Sequence, residues 1–171
     1  MKKESKKVNY NKEVILGTIL GVILIALMQR FIVIATIPSI SMQPTLMVGD
    51  KVILMRNYGE VERGKVYTFE KDNEYLIKRC IAVGGDKVEI KDNDVYVNDI
   101  KLNEEYIKFG NIDKTYDISY IVPENKMFFL GDNRGASFDS REWDNPFVDK
   151  KDIIGEAKTI IYPFSRIGTL R

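Results

Sequence analysis

The sequence contains no histidine, and this absence excludes several kinds of active site. Without imidazole there is no Ser-His-Asp triad, and a zinc site lacks its commonest nitrogen ligand. The single cysteine, Cys80, excludes an intrachain disulfide and cannot supply a cysteine-rich zinc site. Any acid–base chemistry must therefore use lysine, a carboxylate, tyrosine or the N-terminus.

The sequence also lacks an excess of charge of either sign. It has 26 Lys and Arg residues against 25 Asp and Glu residues, which gives a net charge of +1. This balance argues against a protein that binds nucleic acid through bulk electrostatics. At 171 residues, the chain is long enough for one domain with a hydrophobic core.

A long apolar run follows the basic N-terminal residues and predicts a membrane anchor. Val14–Met28 is apolar or small throughout, and the apolar character continues to Ile37. About 20 helical residues span roughly 30 Å, enough to cross a bilayer. A cleaved secretory signal is disfavoured, because the run is longer than usual and no clear cleavage site follows it. The lysines before the run place the N-terminus in the cytoplasm by the positive-inside rule. The predicted parts are therefore a cytoplasmic tail (1–13), a transmembrane anchor (14–37) and an extracytoplasmic domain (38–171).

Beyond the anchor, the pattern is that of β-strands separated by turns rich in Gly, Asp and Asn. The predicted strands are Lys51–Met55, Val66–Phe69, Tyr75–Val83, Val88–Ile90, Val95–Val97, Ile100–Leu102, Met127–Leu130 and Ile153–Ile161. Residues 103–121 have no clear period, and we interpret them as a loop or insertion. The predicted fold is mainly β, an antiparallel-sheet domain preceded by one N-terminal transmembrane helix.

The first candidate site is Ile37–Leu46, which directly follows the apolar run. Pro38 and Pro44 oppose a regular helix here. Ser39 and Ser41 are spaced so that both hydroxyls can lie on the same side of an extended backbone. Serine and proline are ordinary loop residues, so the spacing alone favours a structural role over a nucleophile.

The second candidate is Lys78, which lies inside a predicted strand. Strand alternation places it on an apolar face with Leu76, Cys80 and Ala82, and places Arg79 on the opposite face. Lys78 then lies either at an edge of the sheet or in a dry pocket. In a dry pocket, desolvation lowers its pKa and makes it a usable base. The residue by itself favours the edge position.

The third candidate is the loop Gly131–Arg141, GDNRGASFDSR. A polar turn is the simplest interpretation. A calcium loop of the EF-hand type is excluded: with Asp132 at the first position, Arg134 falls where an oxygen ligand is required. The alternating charges predict instead a loop braced by ion pairs among Asp132, Arg134, Asp139 and Arg141.

Taken in order, these blocks resemble a bacterial type I signal peptidase, and the likeness covers nearly the whole chain. The blocks are the anchor, Pro38–Leu46, Lys78-Arg79 running to Gly84-Gly85-Asp86, and Gly131–Arg141. The closing Tyr162-Pro163-Phe164 and Arg166-Ile167-Gly168 are similar to the tail of Gram-positive members. Each block alone is a weak to moderate signal for this family, but the four blocks in this order are a strong one.

The resemblance implies a role for each matching residue. Ser41 matches the nucleophile and Lys78 the general base. The Ser39 hydroxyl and the Ser41 N–H match the oxyanion-hole donors, and Ser137 matches the hydroxyl that orients the lysine. The other matches are a bracing ion pair, Asp139 and Arg141, and shallow pockets for small side chains, lined by Ile37, Pro38, Leu46 and Ile77.

The expected function is that of a serine endopeptidase that removes signal peptides from exported preproteins at the outer face of the cytoplasmic membrane. It needs no metal or cofactor, and its partners are preproteins and membrane lipid rather than nucleic acid. Ile40 and the loop Trp143–Pro146 depart from the family pattern, which implies a changed pocket shape and a loop variation. Two alternatives remain: a tethered β domain that only binds a partner, and a Ser-Lys protease that cuts itself or a regulator.

Overall fold

The computed structural model describes residues 11–107 and 114–170, and these residues form one α-helix and twelve strands. The helix α1 comprises Lys12–Phe31. The strands are β1 (Ile32–Thr36), β2 (Lys51–Met55), β3 (Val66–Lys71), β4 (Glu74–Val83), β5 (Lys87–Lys91), β6 (Asp94–Val97), β7 (Ile100–Lys101), β8 (Asp117–Ile121), β9 (Lys126–Leu130), β10 (Phe147–Asp149), β11 (Ile153–Tyr162) and β12 (Gly168–Thr169). The 3₁₀ turns Lys150–Asp152 and Phe164–Arg166 precede β11 and β12.

The helix α1 is long and apolar enough to cross a membrane, with a mean hydropathy of 2.1, and none of its residues is buried. It ends at Phe31, whereas the predicted anchor continues to Ile37. The intervening Ile32–Thr36 forms β1 because it is rich in β-branched residues, which favour extended backbone. Residues 1–10 of the predicted cytoplasmic tail lie outside the described residues. Asn11 is the N-cap of α1, and Lys12 and Glu13 belong to its first turn.

The strands form two antiparallel sheets, which confirms the predicted mainly β fold. The larger sheet has the order β1-β2-β11-β3-β4-β9-β10, with β12 pairing with β11. The smaller sheet has the order β7-β6-β5-β8. Strand β11 therefore returns from late in the chain to lie between β2 and β3, which brings the C-terminal segment next to the strand that follows Ile37–Leu46.

The expectation of a loop over residues 103–121 is wrong at its end, where β8 pairs with β5 along its whole length. Only Ile118 and Tyr120 of β8 turn toward the core, and two inward positions are too few to give a clear period. Residues 108–113 lie outside the described residues. The sequence pattern also missed β10 and β12, which are three and two residues long.

Strand β4 supplies side chains to three hydrophobic clusters. Ile77 packs with the apolar residues of the Ile37–Leu46 segment, and Cys80 packs among aromatic side chains. Ala82 packs with the core residues of the smaller sheet. The pairing of β4 with β9 shifts between Cys80 and Ala82, and such a bulge turns the later residue to the opposite face. The predicted shared face of Lys78, Cys80 and Ala82 is therefore wrong for Ala82.

Candidate active site

Ser41 lies in the turn between β1 and β2, and only 7 % of its surface is exposed. The neighbouring Met42 and Leu46 side chains are fully buried, and the Leu46 N–H donates to the Met42 carbonyl at 2.8 Å. The Ser39 and Ser41 hydroxyl oxygens are 3.2 Å apart, and either can donate to the other. The buried apolar side chains fix the backbone of this turn, and the turn presents Ser41 beside the exposed Ser39.

The loop Gly131–Arg141 meets the Ser41 turn at Gly131. A Cβ atom on residue 131 would lie 2.2 Å from the Ser137 Oγ and 2.5 Å from the Ser41 carbonyl oxygen. The Ser137 Oγ is itself buried, and the described residues offer it no hydrogen-bond partner. Ser41 and Ser137 therefore approach each other across a position that only glycine fits.

Lys78 reaches the same position from β4. The ladder between β4 and β9 pairs Arg79 with Leu130, so the adjacent positions bring Lys78 beside Gly131. Strand β4 lies between β3 and β9, and only 4 % of the Lys78 surface is exposed. Lys78 thus lies in the interior of the sheet. The position at a sheet edge, which the residue by itself favoured, is wrong.

The pKa of Lys78 is lowered from the usual 10.5 to about 8, because burial disfavours the charged ammonium. Of the smaller effects, the Asp139 carboxylate raises this pKa, the Arg141 guanidinium lowers it and the Asp132 carboxylate raises it. In the part of the chain that the structure describes, no carboxylate forms an ion pair with the Lys78 amine. The amine is therefore available in its neutral form near neutral pH.

Arg79, the neighbour of Lys78, forms a buried ion pair with Asp132. Its Nε and Nη2 donate to the two Asp132 carboxylate oxygens at 2.9 and 2.6 Å. The Asp132 carboxylate also accepts the Thr45 hydroxyl, and the Tyr106 ring lies 4.0 Å from the Arg79 guanidinium carbon. This pair therefore connects β4, the Ser41 turn and the Gly131–Arg141 loop.

Asp139 and Arg141 form the second buried ion pair. The Arg141 Nε donates to Asp139 Oδ1 at 2.8 Å, and the Gly131 N–H donates to Asp139 Oδ2 at 2.9 Å. Arg134 does not pair within the loop as expected. It binds Glu104, at the beginning of the segment between β7 and β8, and its Nε donates to the Gly131 carbonyl. The predicted internal bracing is therefore right for Asp139 and Arg141 and wrong for Asp132 and Arg134, whose partners lie outside the loop.

The residues that match the family's pockets do not all lie together. Ile37, Leu46 and Ile77 are buried in one hydrophobic cluster with Met42, whereas Pro38 is exposed outside it. Of the two departures from the family pattern, Ile40 is exposed and lies outside this cluster. The ring of the buried Trp143 packs edge-on against Phe69, 6.1 Å away, in the aromatic core.

Cys80 is the other side chain near the site with nucleophilic chemistry. It is fully buried, and burial raises the pKa of its thiol. A buried thiol without a thiolate is inert. Cys80 is therefore excluded as the nucleophile of the site.

Residues 11–162 match the family described as "Signal peptidase, peptidase S26". The chain belongs to this family. A signal peptidase I of Bacillus licheniformis is 32% identical over 179 residues, which cover 96% of each chain. Signal peptidase I S of Bacillus subtilis is 34% identical over 162 residues, covering 87% of this chain and 88% of the relative. Signal peptidase IB of Staphylococcus aureus is 33% identical over 174 residues, covering 90% of each. The resemblance to type I signal peptidases, with Gram-positive relatives, is confirmed.

A solved structure of a member of the family shares the fold. The crystal structure of a signal peptidase I from Enterococcus faecalis superposes with a TM-score of 0.51 at 29% identity. The match covers 57% of this chain and 97% of that one. The antiparallel β fold is therefore shared with a solved signal peptidase I.

Two residues of this signal peptidase family member gained a role only from the structure. Gly131 and Asn133 both lie in the Gly131–Arg141 block, but the sequence alone assigns a function to neither. Gly131 supplies the space in which the two loops meet. The Asn133 N–H donates to the Ser41 carbonyl at 3.0 Å, and its Nδ2 donates to the Ile40 carbonyl at 3.1 Å. The sequence Gly-Asp-Asn does predict a turn at residues 131–133, but it does not identify the residues that this turn contacts.

Proposed function

We propose that this protein is a membrane-anchored serine endopeptidase that removes signal peptides from exported preproteins, with Ser41 as nucleophile and Lys78 as general base. The observation that carries the assignment is the convergence of Ser41, Lys78 and Ser137 on Gly131. The lowered pKa of Lys78 supports it, since a general base must be deprotonated near the working pH. The family supplies the reaction class, the hydrolysis of a peptide bond.

The reaction proceeds through an acyl-enzyme. Neutral Lys78 accepts the proton of the Ser41 hydroxyl as its oxygen attacks the scissile carbonyl carbon. The resulting ammonium returns that proton to the leaving amine, and the C–N bond breaks. Water then attacks the ester on Ser41, Lys78 again takes the proton, and the released Ser41 oxygen regains one. The Ser137 Oγ lies beside Gly131, the position opposite Lys78 in the ladder of β4 and β9, and it has no other partner among the described residues. This supports a role for its hydroxyl in orienting the Lys78 amine during the reaction.

Two donors stabilise the negative charge that develops on the carbonyl oxygen. The Ser41 N–H makes no hydrogen bond within residues 11–107 and 114–170, so it is available to the oxyanion. The Ser39 hydroxyl, now 3.2 Å from the Ser41 hydroxyl, is the second donor and turns toward the oxyanion during the reaction. Each donor of this kind contributes about 3 kcal/mol in comparable hydrolases.

The substrate is expected to carry small side chains at the first and third positions before the cut. This expectation comes from the family match of Ile37, Leu46 and Ile77, which the structure buries together in one hydrophobic cluster. Pro38, the fourth matching residue, is exposed. Preproteins with large residues at these positions should be poor substrates.

The anchor and its orientation complete the proposal. The apolar helix holds the enzyme in the cytoplasmic membrane, with the basic N-terminal residues in the cytoplasm and residues from 38 onward outside. Ser41 follows the apolar segment closely in the sequence. The signal peptide of a preprotein also contains an apolar segment shortly before the cleavage site. The enzyme and its substrate are therefore confined to the same membrane.

The test is cleavage of a purified preprotein by the full chain and by two variants, Ser41→Ala and Lys78→Ala. Each variant should lose cleavage while its circular dichroism spectrum stays unchanged. A serine-directed covalent inhibitor should label Ser41 and no other serine in the unaltered protein. Retained cleavage by the Lys78→Ala protein would disprove the role of this lysine, and the absence of labelling would favour a binding domain without chemistry.

A further inference from the structure

Arg166 connects the C-terminal part of the chain to a buried carboxylate near the candidate nucleophile. It ends the 3₁₀ turn Phe164–Arg166 and is one-third exposed. Its Nε lies 3.0 and 3.1 Å from the two Asp50 carboxylate oxygens, and its Nη2 lies 3.0 Å from Asp50 Oδ2. Asp50 is 1% exposed. A forked pair with a buried carboxylate fixes both charge and direction.

The same guanidinium also binds the backbone of the turn that carries Ser41. Its Nη2 donates to two successive carbonyl oxygens, those of Pro44 at 3.4 Å and Thr45 at 3.2 Å. The Thr45 side chain is bound from the other direction by Asp132, on the Gly131–Arg141 loop. Arg166 and Asp132 thus both bind this part of the turn.

Asp50 extends the effect of Arg166 to both ends of the turn. Its carboxylate accepts the Met47 N–H at 2.8 Å, and its carbonyl accepts the Ile37 N–H at 2.9 Å. The Gly49 N–H in turn donates to the Ile37 carbonyl at 2.9 Å. The segment that contains Ser41 is therefore closed at its base by Asp50, and Arg166 binds this base and the middle of the segment together.

We propose that Arg166 is a positioning residue for Ser41. Through Asp50 and the carbonyls of Pro44 and Thr45, it holds the turn in the arrangement from which the Ser41 hydroxyl attacks. Arg166 contacts the turn and not the reacting atoms. The proposal rests on Ser41 being the nucleophile. Because a small displacement of a nucleophile lowers the rate strongly, loss of Arg166 should slow acylation by about tenfold or more.

The experiment compares Arg166→Gln and Arg166→Lys with Lys151→Gln, a control that removes an exposed positive charge away from the site. Each full-length protein is treated in detergent with a serine-directed covalent inhibitor. The measurements are the final fraction labelled at Ser41 and the rate constant of labelling. We expect Arg166→Gln to reach the wild-type fraction with a rate constant about tenfold lower. Arg166→Lys keeps the positive charge but lacks the planar guanidinium that binds both Asp50 oxygens, so labelling of this variant should also be slower than in the wild type. Lys151→Gln should be unchanged.

The two measurements separate positioning from stability. If Arg166 only stabilised the fold, Arg166→Gln would lower the labelled fraction while the remaining molecules reacted at the wild-type rate, and that result overturns the proposal. A wild-type rate constant of labelling in Arg166→Lys also overturns the proposal, because the guanidinium contacts would then be unnecessary for positioning Ser41. If the unaltered protein is not labelled at Ser41, the assignment of the nucleophile fails, and the positioning role fails with it.

Discussion

Gly131 lies so close to Ser137 that a Cβ atom on residue 131 would be 2.2 Å from the Ser137 Oγ. The same atom would be 2.5 Å from the Ser41 carbonyl oxygen. Neither neighbour can easily withdraw, since one is backbone and the other belongs to a buried side chain. The absence of a side chain at residue 131 therefore permits the approach of the two loops that form the candidate site.

The first prediction concerns Gly131→Ala. The added methyl group should push the two loops apart, lower the rate of preprotein cleavage strongly and destabilise the fold by about 2 kcal/mol. Cleavage assays and denaturant unfolding measure the two effects. Gly168→Ala is the matched control, because its added Cβ meets only ordinary contacts, the nearest at 3.9 Å. Equal activity of the two variants would contradict the proposed contact.

The second prediction contrasts two buried serines of the same loop. The Ser137 Oγ lacks a partner among the described residues, whereas the Ser140 Oγ accepts the Phe129 N–H at 2.9 Å. Ser137→Ala should therefore leave the free energy of unfolding unchanged or slightly higher, since it removes an unsatisfied polar group. Its kcat should fall by about 10²-fold, because the Lys78 amine loses its orienting hydroxyl.

Ser140→Ala should behave in the opposite way. It leaves the Phe129 amide without its partner, so it should lower the free energy of unfolding by about 1 to 3 kcal/mol and change kcat little. Thermal melting and steady-state kinetics on both variants provide the comparison. A fall in stability without a fall in kcat for Ser137→Ala would assign this residue to structure.

The third prediction is the pH dependence of kcat. Only neutral Lys78 can take the Ser41 proton, so kcat should rise with pH and level off above about pH 8, the pKa of Lys78 in the folded protein. A profile from pH 6 to 10 at saturating preprotein measures it. A kcat that still rises in proportion to hydroxide concentration up to pH 10, as a pKa near the usual 10.5 requires, would mean that Lys78 is not desolvated during the reaction.

The fourth prediction is that Lys78 lowers stability at neutral pH. Its folded pKa of about 8 lies below the usual 10.5, so the unfolded chain binds more protons between these values, and stability should rise as pH rises from 8 to 10.5. Lys78→Met fills the same space without charge. At pH 7 it should be more stable than the wild type by about 3 kcal/mol, since each pH unit is worth about 1.4 kcal/mol.

Denaturant unfolding at pH 7 and at pH 10.5 measures the difference between the Lys78→Met and wild-type proteins. The difference should shrink at the higher pH, where the lysine is almost entirely neutral in the folded state and half neutral in the unfolded state. Lys151→Met, at an exposed position, is the control and should show no such pH-dependent difference. A gap that stays the same at both pH values would assign the change in stability to packing.

Much of the site could be predicted because its parts are local in the sequence. The residues of the turn around Ser41 and of the Gly131–Arg141 loop lie within two short blocks, and the family resemblance identified both. The position of Lys78 was different. Whether a lysine in a strand is at an edge or in the interior depends on which strands flank it, and β9 reaches β4 from far along the chain.

The errors have the same physical origin. The charges of Asp132 and Arg134 predicted ion pairs, but their partners, Arg79 and Glu104, lie in distant segments that no local pattern connects to the loop. The role of Arg166 was equally invisible, since Asp50 is far from it in the sequence. Contacts between distant segments decide which of several possible partners a charged side chain takes.

The bulge in β4 has a consequence for how the β domain unfolds. Ile77 and Cys80 lie on opposite faces by strand alternation, and Ala82 follows the bulge, so each of the three belongs to a different hydrophobic cluster. Removing this strand from the structure would open all three clusters at once. Loss of β4 from the larger sheet therefore also exposes the core of the smaller sheet, and the two sheets should lose this shared packing together when β4 unfolds.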